Sequence, residues 1–435
     1  MWPSGFPFMR AFFTLLHRYF GLAIAGFLIV TGLTGAVISW DHELDEWLNP
    51  HLLSATGEGT PRSATELARE VERRYPEVQV TYYEMAHEPG HSYYYWVSPR
   101  VNPDTGKLYQ PGFNQVYVDP VSGEVLGTRE WGAVWPITTE NFISFLYKLH
   151  FSLHIPEVAG IDHWGIWLLG IVALTWTLDC FIGFYLTLPR RRRRSKRDSG
   201  SFWRRWQPAW KVRWRGGSHK LNFDLHRAFG LWTWGLLFVI AFTGFSLNLY
   251  REVFYPLMSS VSEVTPTPID SRTPSGHHAP IEADYGFERA IALARQAGLE
   301  RGWNQPVNSL WHAREYDVYR LEFFSAEEGH GSGGVGHKAV YLDASSGEVL
   351  GDWLPWQGTA ADLFVQAQFP MHSGRILGLP GRILISVMGL VVAMLSVTGI
   401  VIWWRKRRAR RITASRSALS SAARPGGSSA SGELG

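Results

Sequence analysis

The chain has 435 residues, with 42 Lys and Arg against 38 Asp and Glu, for a formal charge of +4. Hydrophobic residues make up 46% and the mean hydropathy is −0.09, too polar on average for a protein wholly embedded in a membrane. A pI near 9.1 would suit a nucleic-acid binder, but the basic runs flank apolar stretches, so membrane topology and anionic-lipid contact explain them and no nucleic-acid partner is expected.

Four apolar stretches stand out, near residues 12–40, 163–188, 229–250 and 383–404. Each is long enough to cross roughly 30 Å of hydrocarbon as a helix. The first is too long for a secretory signal peptide and lacks a small-residue cleavage site, so it is expected to stay attached. Between the second and third stretches lie Arg190 to Arg194, Lys196, Arg197, Arg204, Arg205, Lys211, Arg213, Arg215 and Lys220, against one acid, Asp198. Arg405, Lys406, Arg407, Arg408, Arg410 and Arg411 follow the fourth. The positive-inside rule places both runs, and both termini, in the cytoplasm of a multi-pass protein.

In chain order the expected organisation is a first span (10–40), an external module (41–149), an external His segment with the second span (150–189) and a basic loop (190–221). A third span (222–250), a second external module (251–371), a His segment with the fourth span (372–405) and a disordered tail (406–435) complete it. The external modules repeat: Asp119-Pro-Val-Ser-Gly-Glu-Val-Leu-Gly127 matches Asp343-Ala-Ser-Ser-Gly-Glu-Val-Leu-Gly351. The β-branched or aromatic runs 115–118 and 338–342 before them read as strand, turn, strand. Upstream, 63–74 with its Ser63-x-x-Glu66 capping pattern and 286–297 read as amphipathic helices. Residues 78–85, 93–97 and 318–324 read as strands, making each module a small α+β unit. The Pro-, Ser- and Thr-rich stretch 262–281 reads as linker.

The spans repeat as well. Leu16-His17-Arg18-Tyr19-Phe20-Gly21 and Leu225-His226-Arg227-Ala228-Phe229-Gly230 each open an apolar run, and Thr34-Gly35 and Thr243-Gly244 follow at one distance. His and Gly at i and i+4 share a helix face, leaving a flat slot beside a ligand nitrogen. Small residues also serve plain helix packing in membranes, but duplication with spacing kept favours two faces closing on a planar cofactor. Haem is the obvious candidate. Cys180 is the one cysteine and no C-x-x-C-H motif exists, so a haem would be non-covalent, b-type, and thiolate zinc or iron–sulfur sites are excluded.

On these spans and repeats the chain resembles the PepSY-associated transmembrane family, over residues 10–408, and within it the iron-regulated inner-membrane ferric-siderophore reductases. The resemblance implies a membrane all-α four-helix bundle with two periplasmic α+β PepSY-like modules built by internal duplication. It also implies two haem b groups, each with paired His ligands, in the bacterial inner membrane. His17 and His226 would hold one haem, with Gly21 and Gly230 packing on it and Arg18 and Arg227 pairing with its propionates or snorkelling to the interface. For the second pair the family form Leu-His-x-Ser-Leu implies His150 with His372. Local spacing points instead to His154, since His154 to Gly160 equals His372 to Gly378. His163 has no counterpart and reads as an interface residue.

Asp179, deep in the second span, is costly there and a functional candidate as proton relay or hydrogen-bond acceptor. His87, His91, His277, His278, His312, His330 and His337 read as scattered surface residues, and Trp131, Trp135, Trp353 and Trp356 as exposed aromatics near the membrane. No dinucleotide fingerprint, P-loop or metalloprotease helix is present, so an electron donor would come from outside the chain: a membrane quinol or a cytoplasmic reductase. The expected activity is transfer of electrons to a periplasmic ferric siderophore. Two competing readings are a non-enzymatic PepSY-type protein that binds or regulates a peptidase or other periplasmic partner, and a transporter assembled from oligomerised spans.

Overall fold

The computed structural model describes residues 6–190, 201–276, 278–329 and 331–422. Arg191 to Arg194, Lys196, Arg197 and Asp198 of the basic loop lie outside these residues, as do His277, His330 and the end of the tail from residue 423. The chain divides into two compact units. The first comprises Met1–Gly32, Thr175–Phe238 and Leu390–Gly435; the second comprises Leu33–Leu174 and Val239–Gly389.

Helix α1 (Phe6–Ile38) covers the first apolar stretch as far as Ile38. Three segments, Phe8–Ile38, Trp164–Thr187 and Leu379–Ser415, are long and apolar enough to cross a membrane. The third expected span departs from a straight helix: Ser218–Trp232 and Trp234–Asn248 are bent by 72° at Thr233, and the two count as a fourth crossing if taken as one broken span. Thr233 turns its hydroxyl onto the Phe229 carbonyl at 2.7 Å, and Gly235 follows two residues later. A back-bonding β-branched residue beside a glycine is a recognised cause of such a kink.

The second unit holds an eight-stranded antiparallel sheet, ordered β4-β3-β2-β1-β5-β6-β7-β8. Its strands are β1 (Val78–Glu84), β2 (Tyr93–Pro99), β3 (Gln115–Val118), β4 (Val125–Arg129), β5 (Val307–Ala313), β6 (Val318–Phe323), β7 (Lys338–Asp343) and β8 (Val349–Trp353). Alternation drives burial: Tyr93, Tyr95 and Val97 point into the core while Tyr94, Trp96 and Ser98 do not. The two external modules were expected as separate units, yet β1 pairs with β5, placing Tyr82 opposite Trp311 and Tyr83 opposite Leu310. Joining them removes two unpaired strand edges.

Helix α2 (Ala64–Arg74) and helix α3 (Phe287–Glu300) bury one face each in the core this sheet shares. Leu67, Ala68 and Val71 from one, and Phe287, Ala290, Ile291 and Ala294 from the other, follow the helical period. The Ser63 capping box does not form; Arg62 instead takes Glu66 and Glu70, both at 2.5 Å, and so removes the acid that would have reached back. Residues 262–281 contain no regular element where described, but they are tied down: Thr265 donates to Asp362 and Arg272 to Asp343. The expected disordered tail is helical to Ala422, continuing the helix that begins at Leu379.

Candidate functional site

Within the first unit, His17 and His226 face each other with ring centroids 6.2 Å apart. The tautomer of each follows from its partners. His17 Nδ1 lies 2.9 Å from both carboxylate oxygens of Asp179, which only accept, so this nitrogen carries the proton. His226 Nδ1 donates to the Leu395 carbonyl at 3.0 Å and to Thr398 Oγ1 at 3.1 Å. The Thr398 hydroxyl proton is already committed to Met394 O at 2.8 Å. Both rings therefore keep the Nε2 lone pair available to a ligand.

The second unit repeats the arrangement with His150 and His372, whose centroids are 6.1 Å apart. His372 Nδ1 meets Thr243 Oγ1 at 3.0 Å, and that hydroxyl donates to Val239 O at 2.7 Å. His150 Nδ1 meets Thr34 Oγ1 at 3.1 Å. Burial pushes the His372 imidazole down to about 4, which favours its neutral form.

Every ring rests on a glycine of a neighbouring helix. A Cβ added to Gly183 would lie 3.5 Å from His17 Cε1, and one on Gly399 would lie 3.2 Å from His226 Cε1. For Gly244 and His372 the distance is 3.4 Å, and for Gly35 and His150 it is 2.9 Å. Three of these glycines follow a threonine that meets the same ring's Nδ1: Thr34-Gly35, Thr243-Gly244 and Thr398-Gly399. The repeated Thr-Gly was visible in the sequence as a spacing marker, but its role as a seat for a histidine on another helix was not. Thr398-Gly399 and Gly183 were missed as parts of the site, because they show only once the helices are packed; Asp179 was expected as a hydrogen-bond acceptor, and packing supplies its partner, His17.

A cavity of about 410 Å³ opens between His17 and His226. Gly21 and Gly230 line it, and a Cβ on Gly21 would meet nothing within 4 Å. Arg10, Arg18, Arg227 and Lys406 are also on its wall. Arg227 already binds Asp224 at 3.0 Å and the Pro208 carbonyl at 2.6 Å, while its buried Nε has no hydrogen-bond partner.

The donor set can be tested against a haem. Two imidazoles on opposite sides of one iron, with bonds of about 2 Å and about 1.1 Å from nitrogen to ring centre, would put the centroids about 6.2 Å apart. The two pairs stand at 6.2 and 6.1 Å. Among the described residues no group of three or more His, Cys, Asp or Glu could hold a bare metal ion. Two-nitrogen sets of this spacing suit a metal whose remaining ligands come from a macrocycle.

Other expectations resolve differently. His154 does not join His372: its Nε2 donates to Phe145 O at 2.8 Å and its ring stacks on Phe145 at 4.6 Å. His163 is exposed and pairs with Asp162 at 2.5 Å. His312 and His337 are buried rather than on the surface, packed on Tyr319 and Phe324. Of the four tryptophans only Trp135 is exposed; Trp131 packs between Trp96 and Tyr147.

The family model of the PepSY-associated TM region matches residues 14–406. The chain belongs to that family. No curated protein matches it. Family membership and the apolar helices together make this a membrane protein of the PepSY-associated transmembrane type.

Proposed function

We propose that the chain is a di-haem b-type cytochrome of the bacterial inner membrane, a ferric-siderophore reductase with cytoplasmic termini, four spans and a duplicated architecture. The observation that carries this reading is the pair of facing histidines found twice, with ring centroids 6.2 and 6.1 Å apart. His17 with His226, and His150 with His372, would hold the two groups. When bound, haem supplies one-electron chemistry between an external donor, a quinol or a cytoplasmic reductase, and a periplasmic ferric chelate.

The chain's own residues do the rest. Asp179, Thr34, Thr243, Thr398 and the Leu395 carbonyl fix ring orientation and keep the proton on Nδ1. Gly35 and Gly399 let His150 and His226 lie closer to a helix than a Cβ would allow, while Gly183 and Gly244 sit beside His17 and His372. Gly21 and Gly230 line the cavity without side-chain bulk, and Arg18 and Arg227 on its wall would pair with carboxylates of a bound group. The substrate loses its hold on iron because hard oxygen donors bind Fe(III) better than Fe(II).

Anaerobic mixing of the dithionite-reduced, desalted protein with a ferric siderophore tests the activity. Reoxidation of a b-type spectrum, with one Fe(II) trapped by a ferrous chelator per electron lost, supports it. A haem-loaded protein that stays reduced overturns the siderophore step.

A further inference from the structure

In three of the four histidine seats, those of His226, His150 and His372, a threonine hydroxyl meets the ring's Nδ1; in the fourth, that of His17, a carboxylate does. The exception is written in the sequence. Gly183 and Gly399 both seat a ring, and four residues before each glycine the chain has Asp179 in one helix and Leu395 in the other. Asp179 sits inside the span Trp164–Thr187 with its side chain 8% exposed. A carboxylate at that depth is expensive and is kept where it does something.

We propose that Asp179 is a positioning residue that lowers the reduction potential of the haem held by His17 and His226 below that of the haem held by His150 and His372. The inference rests on the di-haem reading. A carboxylate accepting the Nδ1 proton makes the imidazole a stronger donor through Nε2, and its charge stabilises the more positive, oxidised iron. Threonine hydroxyls hold their rings in place without adding charge. Reduction at the Asp179 site is therefore harder, and electrons that enter there run downhill to the other site. The asymmetry gives a symmetric pair of centres a direction, from the His17–His226 site to the His150–His372 site and on to the ferric chelate.

The test is a spectroelectrochemical redox titration of the full-length chain in detergent, after pyridine haemochrome quantification has established two haems. Asp179→Asn keeps an oxygen that accepts from Nδ1 and removes the charge. It is expected to raise the lower midpoint by at least a tenfold change in the reduced-to-oxidised ratio, about 59 mV for one electron, while the upper midpoint stays put. Asp179→Glu, which restores the charge, is expected to bring the lower midpoint back down. Two retained haems with neither midpoint moved, or with the upper one moved instead, overturn the inference.

Should Asp179→Asn not hold two haems, the order of potentials decides. His372→Ala leaves the Asp179-linked haem and His226→Ala leaves the other; the first must titrate at the lower potential, and equal or reversed potentials overturn the proposal. A wild-type protein with no haem overturns the di-haem reading itself, an outcome visible before any titration begins.

Discussion

Gly35→Ala separates the fit of the ligand site from the fit of the fold. An added Cβ would stand 2.9 Å from His150 Cε1, well inside ordinary carbon–carbon contact at about 3.5–4.0 Å. The ring must withdraw by roughly 0.6 Å or more. Withdrawal stretches its 3.1 Å contact with Thr34 and changes its 6.1 Å separation from His372. The helix itself gains, because Ala is favoured over Gly by about 1 kcal/mol in a helix interior. Overpacking of this kind costs about 1–3 kcal/mol, which at about 1.4 kcal/mol per decade weakens the hold on a haem roughly 5- to 150-fold. The control is Gly183→Ala, whose Cβ would make an ordinary 3.5 Å contact with His17 Cε1. Pyridine haemochrome quantification after detergent purification, with a stepwise apomyoglobin challenge to strip weakly held haem, reads the difference. Gly35→Ala should lose one haem of two early in the challenge, and Gly183→Ala should behave as wild type. If both variants keep two haems with unchanged resistance, the packing of glycine on histidine has nothing to do with ligand binding.

Three further outcomes follow from the same geometry. Gly165→Ala would drive its Cβ into the Ser152 carbonyl, a backbone clash that no side chain can relieve; the variant should express poorly or unfold at lower temperature, and a normal melting curve would contradict the packing. Arg129, 5% exposed, holds Asp45 through two bonds at 2.9 and 2.7 Å, so Arg129→Ala should cost about 1–3 kcal/mol in denaturant titrations by leaving that carboxylate with Asn49 alone. His312 is buried with no partner on either ring nitrogen, and burial pushes it down to about 3 from an unfolded value near 6.5. The unfolded chain therefore binds the extra proton between those values, and stability falls as pH drops below 6.5. The loss from this residue is about 2 kcal/mol at pH 5. His312→Phe should remove that share of the acid sensitivity in thermal melts at pH 7 and pH 5.

Much of the architecture could be read from the chain because the physics there is local. Apolar runs of span length, the alternation in Tyr93–Val97 and the helical stripe of Leu67, Ala68 and Val71 each carry their own signal. The β1–β5 pairing that joins the two modules does not, since strands more than 200 residues apart leave no periodicity in common. Nor did composition foretell the bend at Thr233, which depends on a hydroxyl turning back onto Phe229 O. The candidate site divides the same way. Repetition exposed His17, His226 and the Thr-Gly pairs, whereas the choice between His150 and His154, i and i+4 on one stretch, was ambiguous in sequence. Packing separates them: the chain turns to left-handed φ at Leu153 and His154, sending His154 onto Phe145, while His150 stays on its helix facing His372. The glycines and Asp179 are set by helix neighbours that spacing alone cannot rank.

The most direct measurement is the haem content of purified wild type, His17→Ala and His372→Ala, by pyridine haemochrome and dithionite-reduced spectra after expression with ample haem. Two b-type haems in the wild type and one in each single variant are expected, since each substitution removes one of the two facing pairs. A wild type without haem, or variants that both retain two, would contradict the assignment of His17–His226 and His150–His372 as axial ligand pairs.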